Sequence, residues 1–188
     1  GNFNEHEYNG FTVVVNRRQY RNWQMNASYT WSEVYGNGED FDQILGTDPT
    51  LVDQEEGYLA YDQRHVFKLN ATTIIPWGGG FRFGTAVQWQ SGLPYSLLTR
   101  RLRLDAIPPV FTGLATPEAR TRLQYETGQR NTERNESWWT FDIHLAKEWN
   151  MRGGINLQVT ADVFNLLNDN HLTVLSNING NTIQFRDF

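Results

Sequence analysis

The feature that most constrains this chain is alternation. Six segments, at about 8–17, 21–33, 64–77, 80–91, 138–149 and 154–166, place apolar and polar side chains on opposite sides at a period of two. In the segment 64–77 one side carries Phe67, Leu69, Ala71, Thr73, Ile75 and Trp77, and the other Lys68, Asn70 and Thr72. The segment 80–91 sets Phe81, Phe83, Val87 and Trp89 against Arg82, Gln88 and Gln90. The segment 138–149 sets Trp139, Phe141, Ile143, Leu145 and Trp149 against Thr140, Asp142, His144 and Glu148. Successive side chains of a strand point to opposite faces, so each segment predicts a strand with one greasy and one wet face. The first, with Phe11, Val13 and Val15 but also Val14, is the least regular.

The greasy faces carry aromatics at both ends: Trp23 with Trp31, Phe67 with Trp77, Phe81 with Trp89, and Trp139 with Trp149. The members of each pair stand eight or ten residues apart. At about 3.3 Å per residue and a tilt near 40°, that spacing is roughly 20–25 Å, the height of the apolar band between the aromatic girdles of a membrane barrel. A soluble sandwich has no reason to repeat it. Lys147 interrupts the greasy face of its segment just before a short turn, where a long side chain snorkels to the headgroups.

Between the segments, short and long connections alternate. The short ones are 18–20, the glycine corner 78–80, and 150–153; the long ones run about 34–63, 92–137 and 167–182. Short turns on one side and long loops on the other is the pattern of an outer-membrane barrel, and loops this long suggest function. No apolar run approaches the roughly 20 residues of a membrane helix, while barrel strands average out as polar. Cysteine is absent, which excludes disulfides and thiol chemistry, and the net charge of −5 argues against a nucleic-acid partner. Gly1–Glu5 lacks a basic stretch followed by an apolar one, so the expectation is that a signal peptide was removed or that the chain is a fragment. The expected fold is all-β: an antiparallel, up-and-down transmembrane β-barrel segment of about six strands spanning residues 1–188. Six strands do not close a barrel whose smallest forms have about eight, so a larger unit is expected.

Five phrases then stand in order: Tyr29-Thr30-Trp31-Ser32, Asp62-Gln63-Arg64-His65, Pro76-Trp77-Gly78-Gly79-Gly80, Gln90-Ser91-Gly92-Leu93-Pro94 and Asp162-Val163-Phe164-Asn165-Leu166-Leu167-Asn168. Jointly, over most of residues 20–170, they resemble the C-terminal third of TonB-dependent receptors. The closest resemblance is to the type with a carboxypeptidase-regulatory-like N-terminal domain. The resemblance implies a 22-stranded barrel, a plug domain outside this chain, and an inner-membrane energy coupler of the TonB type as partner. It also makes 154–166 the penultimate strand, with Ile183–Phe188 read as the beginning of a segment that continues.

Candidate chemistry is sparse. Asp142, His144 and Glu148 share a wet face, where acid/base or metal chemistry competes with plain lumen lining, and lumen lining is preferred. At His65, beside Arg64 and Asp62, salt bridging and loop anchoring are preferred to ligation. The acidic loop 33–63, with nine Asp and Glu and no Lys or Arg, suits calcium in charge but lacks the spacing of an EF-hand loop, and a solvated, self-repelling surface loop is preferred. Arg100, Arg101, Arg103, Arg120, Arg122, Arg130 and Arg134 suit either lipopolysaccharide phosphates or the acidic loop beside them. Tyr35, Phe41, Tyr58, Tyr61 and Tyr95, with Arg100, Arg101 and Arg103, are the candidate ligand contacts at the outer mouth. Neither catalytic residues, metal nor cofactor is expected.

Alternation, turn asymmetry and girdle spacing thus predict a barrel wall with outer loops, and the resemblance implies a transporter importing a nutrient such as a carbohydrate, peptide or metal chelate. The expected partners are outer-membrane lipid and lipopolysaccharide, the energy coupler through regions outside the chain, and surface partner proteins. The rival reading is a structural or adhesive barrel that anchors surface loops or a partner complex.

Overall fold

The computed structural model describes residues 5–38, 53–76, 79–102, 121–178 and 180–186. Its strands, in chain order, are β1 (His6–Tyr20), β2 (Trp23–Gly36), β3 (Gly57–Tyr58), β4 (His65–Ile75), β5 (Phe81–Gln90), β6 (Pro94–Leu102), β7 (Thr121–Tyr125), β8 (Glu133–Arg134), β9 (Trp138–Asn150), β10 (Asn156–Val163), β11 (Leu172–Ile178) and β12 (Asn181–Arg186). The six alternating segments become β1, β2, β4, β5, β9 and β10, paired in that order in one sheet, each neighbour antiparallel.

Register brings like faces together. One row runs Val13–Tyr29–Phe67–Trp89–Trp139, and the adjacent wet-face row runs Val14–Ser28–Lys68–Gln88–Thr140. A slip of one residue would turn each greasy set onto the wet face, so this consistency pins the pairing.

The rows are also staggered. Trp23 is in register with Thr73, Thr73 with Phe83, Phe83 with Leu145, and Leu145 with Ala161. Trp23 adjoins its turn, whereas Thr73 and Phe83 stand farther from theirs, and Leu145 and Ala161 farther still. With the three short turns at one level, this offset of about three residues per hairpin is roughly 10 Å along the strands for roughly 10 Å across two of them. The corresponding tilt is about 45°, close to that of membrane barrels.

The turns fall slightly away from their expected places. β1 runs on through 18–20, with a register shift between Arg17 and Tyr20, and the reversal falls on Arg21 and Asn22, with Arg21 left-handed at φ 52. Gly79 and Gly80 (φ 75 and 79) turn the second hairpin, and Gly153 and Gly154 (φ 89 and 77) the third. β10 stops at Val163 rather than 166. Asn165 turns left-handed (φ 49), its N–H donates 2.8 Å to the Asp142 carboxylate, and Leu166 N–H donates to the Phe141 carbonyl at 2.7 Å.

Two expected loops are not plain loops. The regions 92–137 and 167–182 supply a second sheet in the order β12-β11-β6-β7, with β8 beside β6. β6 and β11 run parallel, Ser96 with Ser176 through Leu98 with Ile178, so the molecule is not uniformly antiparallel. These strands are mostly shorter than a membrane crossing, which is why a search for spanning alternation passes over them. β12, where the final wall strand was expected, pairs with β11 instead of β10. In the region 34–63 the described residues hold β3 and one helical turn at 53–55.

Burial is unusual in its placement. Ser32, Val34, Leu59, Asp62, Ser96, Leu98, Tyr125, Arg130 and Asn131 are buried where the second sheet meets the first, whereas Gly84 and Ala146 are buried within the six-strand sheet. The six-strand sheet is a single layer: every residue of β10 and nearly every residue of β1 is exposed. Large apolar side chains stand outward on it, among them Phe11, Val13, Trp23, Trp139, Leu145, Trp149 and Leu157.

An arginine at Leu145, midway along the greasy face, should therefore destabilise the full-length protein in lipid vesicles by about 2–4 kcal/mol, whereas Gln88→Arg on the wet face should cost far less. Denaturant unfolding of the vesicle-inserted protein checks both. Equal costs would contradict the assignment of faces.

Candidate functional site

The loop-side end of the sheet is built from two layers of contact. The first is an aromatic ladder on the greasy face. Phe11 stacks on Trp31 at 5.8 Å, Phe11 meets Tyr29 edge-on, Tyr29 stacks on His65, His65 on Trp89 at 6.0 Å, and Trp89 leans on Trp139 at 5.9 Å. The Tyr29 hydroxyl and His65 Nδ1 are hydrogen-bonded at 2.8 Å. His65 thus continues a girdle of amphipathic rings across the strands, the arrangement that suits a lipid–water interface.

The second layer is a buried polar joint centred on Asp62, whose side chain has no solvent exposure. Its Oδ1 accepts the Val34 N–H at 2.7 Å. Its Oδ2 accepts from Arg64 Nη2 at 3.1 Å and from Arg134 Nη2, and Arg134 Nη1 also donates to the Asp62 carbonyl at 3.1 Å. Arg64 reaches Glu33 at 2.9 Å and lies 4.7 Å over the Tyr58 ring, while Arg134 lies 5.3 Å over the same ring. Burial penalises the Arg64 cation. Hydrogen bonds to Tyr58 and Asp62, and the charges of Asp62 and Glu33, outweigh that and hold its pKa above the ordinary arginine value.

Around this centre the phrases noted in the sequence interlock. His65 and Ser91 exchange bonds, Ser91 N–H to the His65 carbonyl and His65 N–H to Ser91 Oγ, both at 2.9 Å. Ser32 Oγ donates to the Gln63 carbonyl, and Gln63 Nε2 to that of Ser91. Gly92 passes so close to Asn135 that an added Cβ would lie 1.8 Å from its carbonyl oxygen. Asn135 ties three segments: its side chain donates to the Leu93 and Val174 carbonyls and accepts the Val174 N–H at 2.6 Å. Asn131, left-handed at φ 53, donates to the Tyr58 carbonyl at 2.6 Å and accepts from Ser96 Oγ at 2.8 Å.

The candidate ligand contacts divide accordingly. Tyr35 and Tyr58 meet edge-to-face at 5.5 Å beside Arg64, and burial, with Glu56 and Tyr58 nearby, lifts the Tyr35 phenol above its usual pKa. Tyr61 is exposed, and Tyr95 lies half-buried on β6 opposite Glu133. Arg100 and Arg101 lie on β6 in register with Leu123 and Arg122, their side chains outside the described part. Phe41 and Arg103 lie outside the described residues, as does Trp77 of the girdle set. The remaining girdle residues Trp23, Trp31, Phe67, Phe81, Trp89, Trp139 and Trp149 share the greasy face.

Of the two readings for the arginines, Arg134 answers to the acidic-loop one by holding Asp62, while the Arg130 guanidinium reaches the same loop at the Glu55 backbone carbonyl, 3.5 Å away. Sequence reasoning missed Asn131 and Asn135. The dense polar run Arg130-Asn131-Thr132-Glu133-Arg134-Asn135 was the signal available, hidden by its place in a presumed loop.

The wet face is mainly polar, with Val14, Ile74 and Ala86 among its apolar members. Thr12 and Thr30 hydroxyls bond at 2.9 Å, Asn26 donates to Asn16, and a hollow of about 490 Å³ opens beside Asn16, Arg18, Gln24, Asn26, Asn70 and Thr72. His144 Nδ1 meets Asp162 Oδ1 at 2.5 Å across the last hairpin, and Asp142 is taken up by Asn165. Among the described residues no three His, Cys, Asp or Glu converge as a metal site.

A family model for an outer membrane beta barrel domain matches residues 1–185. The chain belongs to that family. Its place is the outer membrane, with the greasy face of the barrel wall turned to lipid and the wet face to the interior. No curated protein and no solved structure matches it significantly.

Replacing Asp62 by alanine leaves two cations in the joint without their shared carboxylate. Loop docking should weaken by about 3 kcal/mol, the lower end for a broken buried pair because Arg64 and Arg134 keep some water contact. Gly92→Ala should act in the same direction through the clash with Asn135. Both variants should let trypsin cut after Arg64 and Arg134 on intact cells; unchanged protection would count against the joint.

Proposed function

We propose that this barrel wall and its ordered mouth belong to a TonB-dependent receptor that imports a nutrient of the carbohydrate, peptide or metal-chelate class. The observation that carries the reading is where the receptor-like phrases fall. Asp62-Gln63-Arg64-His65 and Gln90-Ser91-Gly92-Leu93-Pro94 are the two strand ends that lock together under the outer sheet, and Asp162 to Asn168 forms the turn that caps β9 and β10. A receptor gains from loops held in one arrangement, because ordering them in advance lowers the entropy lost on capture. The tyrosine pair Tyr35 and Tyr58 at that mouth offers flat, amphipathic surface for a sugar or peptide.

In this reading lipopolysaccharide surrounds the outer rim, an inner-membrane coupler supplies energy through a plug outside this chain, and the chain itself performs no catalysis. Uptake tests it. A strain lacking the gene, supplied with the full-length protein, should regain growth on a limiting nutrient from these classes only while the inner-membrane energiser is intact. Asp62→Ala should reduce that uptake at unchanged surface abundance. Growth restored without the energiser, or no nutrient dependence together with lost surface attachment of a partner, would favour the anchoring role instead.

A further inference from the structure

The short-turn rim carries a charge that the rest of the chain lacks. Arg17, Arg18, Arg21, Arg82, Lys147 and Arg152 lie in or beside the three short turns with Glu148 as the sole carboxylate there, in a chain whose 21 Asp and Glu outnumber its 16 Lys and Arg. Two of these cations stand on the greasy face. Arg17 is in register with Met25, two residues from Trp23, and Lys147 lies between Leu145 and Trp149.

Each is held against rings. The Arg17 guanidinium carbon lies 3.8 Å over Trp23 and 5.7 Å over Tyr20; Lys147 Nζ lies 5.2 Å over Phe81 and 5.7 Å over Trp149. Ring faces attract a cation without neutralising it. Among the described residues neither cation forms an ion pair, and Arg17 Nε is out of solvent contact with no hydrogen-bond partner. Two cations on a lipid-facing surface, at the level of an aromatic girdle and without a carboxylate partner among the described residues, are placed for an anion that the membrane supplies.

We infer that Arg17 with Trp23 and Tyr20, and Lys147 with Phe81 and Trp149, are two clamps for the phosphodiester of anionic phospholipids. The lipids are those of the leaflet that the short turns face, the periplasmic one in outer-membrane barrels. The guanidinium fork matches phosphate oxygens, the ammonium adds a point charge, and the rings form the shelf beneath the headgroup. The clamps lie four strand steps apart, roughly 19 Å, so each holds its own lipid. The inference rests on the barrel wall and is independent of what, if anything, the barrel imports.

Tryptophan quenching by brominated phosphatidylglycerol against brominated phosphatidylcholine, on the full-length protein in mixed vesicles, tests it. The wild type should prefer phosphatidylglycerol, and Arg17→Gln and Lys147→Gln should each lower that preference about fivefold, the scale of one cation near an anionic surface. Arg17→Lys should keep part of it, and heat-modifiable mobility confirms that each variant is folded. Should a variant fail to fold, the wild-type preference and its decline with added salt decide the matter. Equal quenching by the two lipids, an unchanged preference in the folded variants, or displacement by inorganic phosphate would overturn the assignment.

Discussion

Hydrocarbon offers a peptide group no hydrogen-bond partner, and the wall of this domain is shaped by that fact. Each strand of the ladder β1-β2-β4-β5-β9-β10 satisfies its inward neighbours through unbroken antiparallel register, interrupted only near Arg17 and Tyr20, at the rim. The outer edges of β1 and β10 pair with nothing among the described residues. A lipid-embedded sheet does not tolerate free N–H and C=O groups, so those two edges are the ones a barrel has to pair.

Once the backbone is settled this way, side chains are released from forming a core. The sheet needs no second layer, since lipid covers one face and the interior the other. Packing density is concentrated instead at the mouth, and there it is largely polar: Asp62, Ser96, Arg130 and Asn131 are buried alongside Leu59 and Leu98. Loops that must keep a shape above the membrane, with little apolar surface to spare, are fixed by dense hydrogen bonding around one carboxylate, both of whose oxygens are engaged.

Much of this was readable in the sequence because strand alternation is a local signal. Phe67, Leu69 and Ala71 announce their face without reference to any other part of the chain. Asp62 and Arg64, adjacent to a strand start, were legible as an anchor for the same reason. Arg134 was legible only as one of several arginines suited to the acidic loop, and Asn135 not at all, since its partner Val174 lies far away in sequence and nothing local marks the pairing. The outer sheet escaped for a related cause: β6, β7, β11 and β12 are defined by whom they pair with rather than by a spanning, two-faced pattern. Turn positions shifted by a few residues wherever a left-handed backbone fell on Arg21 or Asn165 instead of glycine.

The parallel pairing of β6 with β11 has a consequence for assembly. Ser96 waits for Ser176, so the intervening hairpin β9–β10 has to be made and inserted before β6 can fill that edge. Chain closure over such a separation is late and slow relative to hairpin formation. Of the pairings described, the one that completes the mouth therefore asks for the longest chain closure, whereas each wall hairpin is closed by a short local turn.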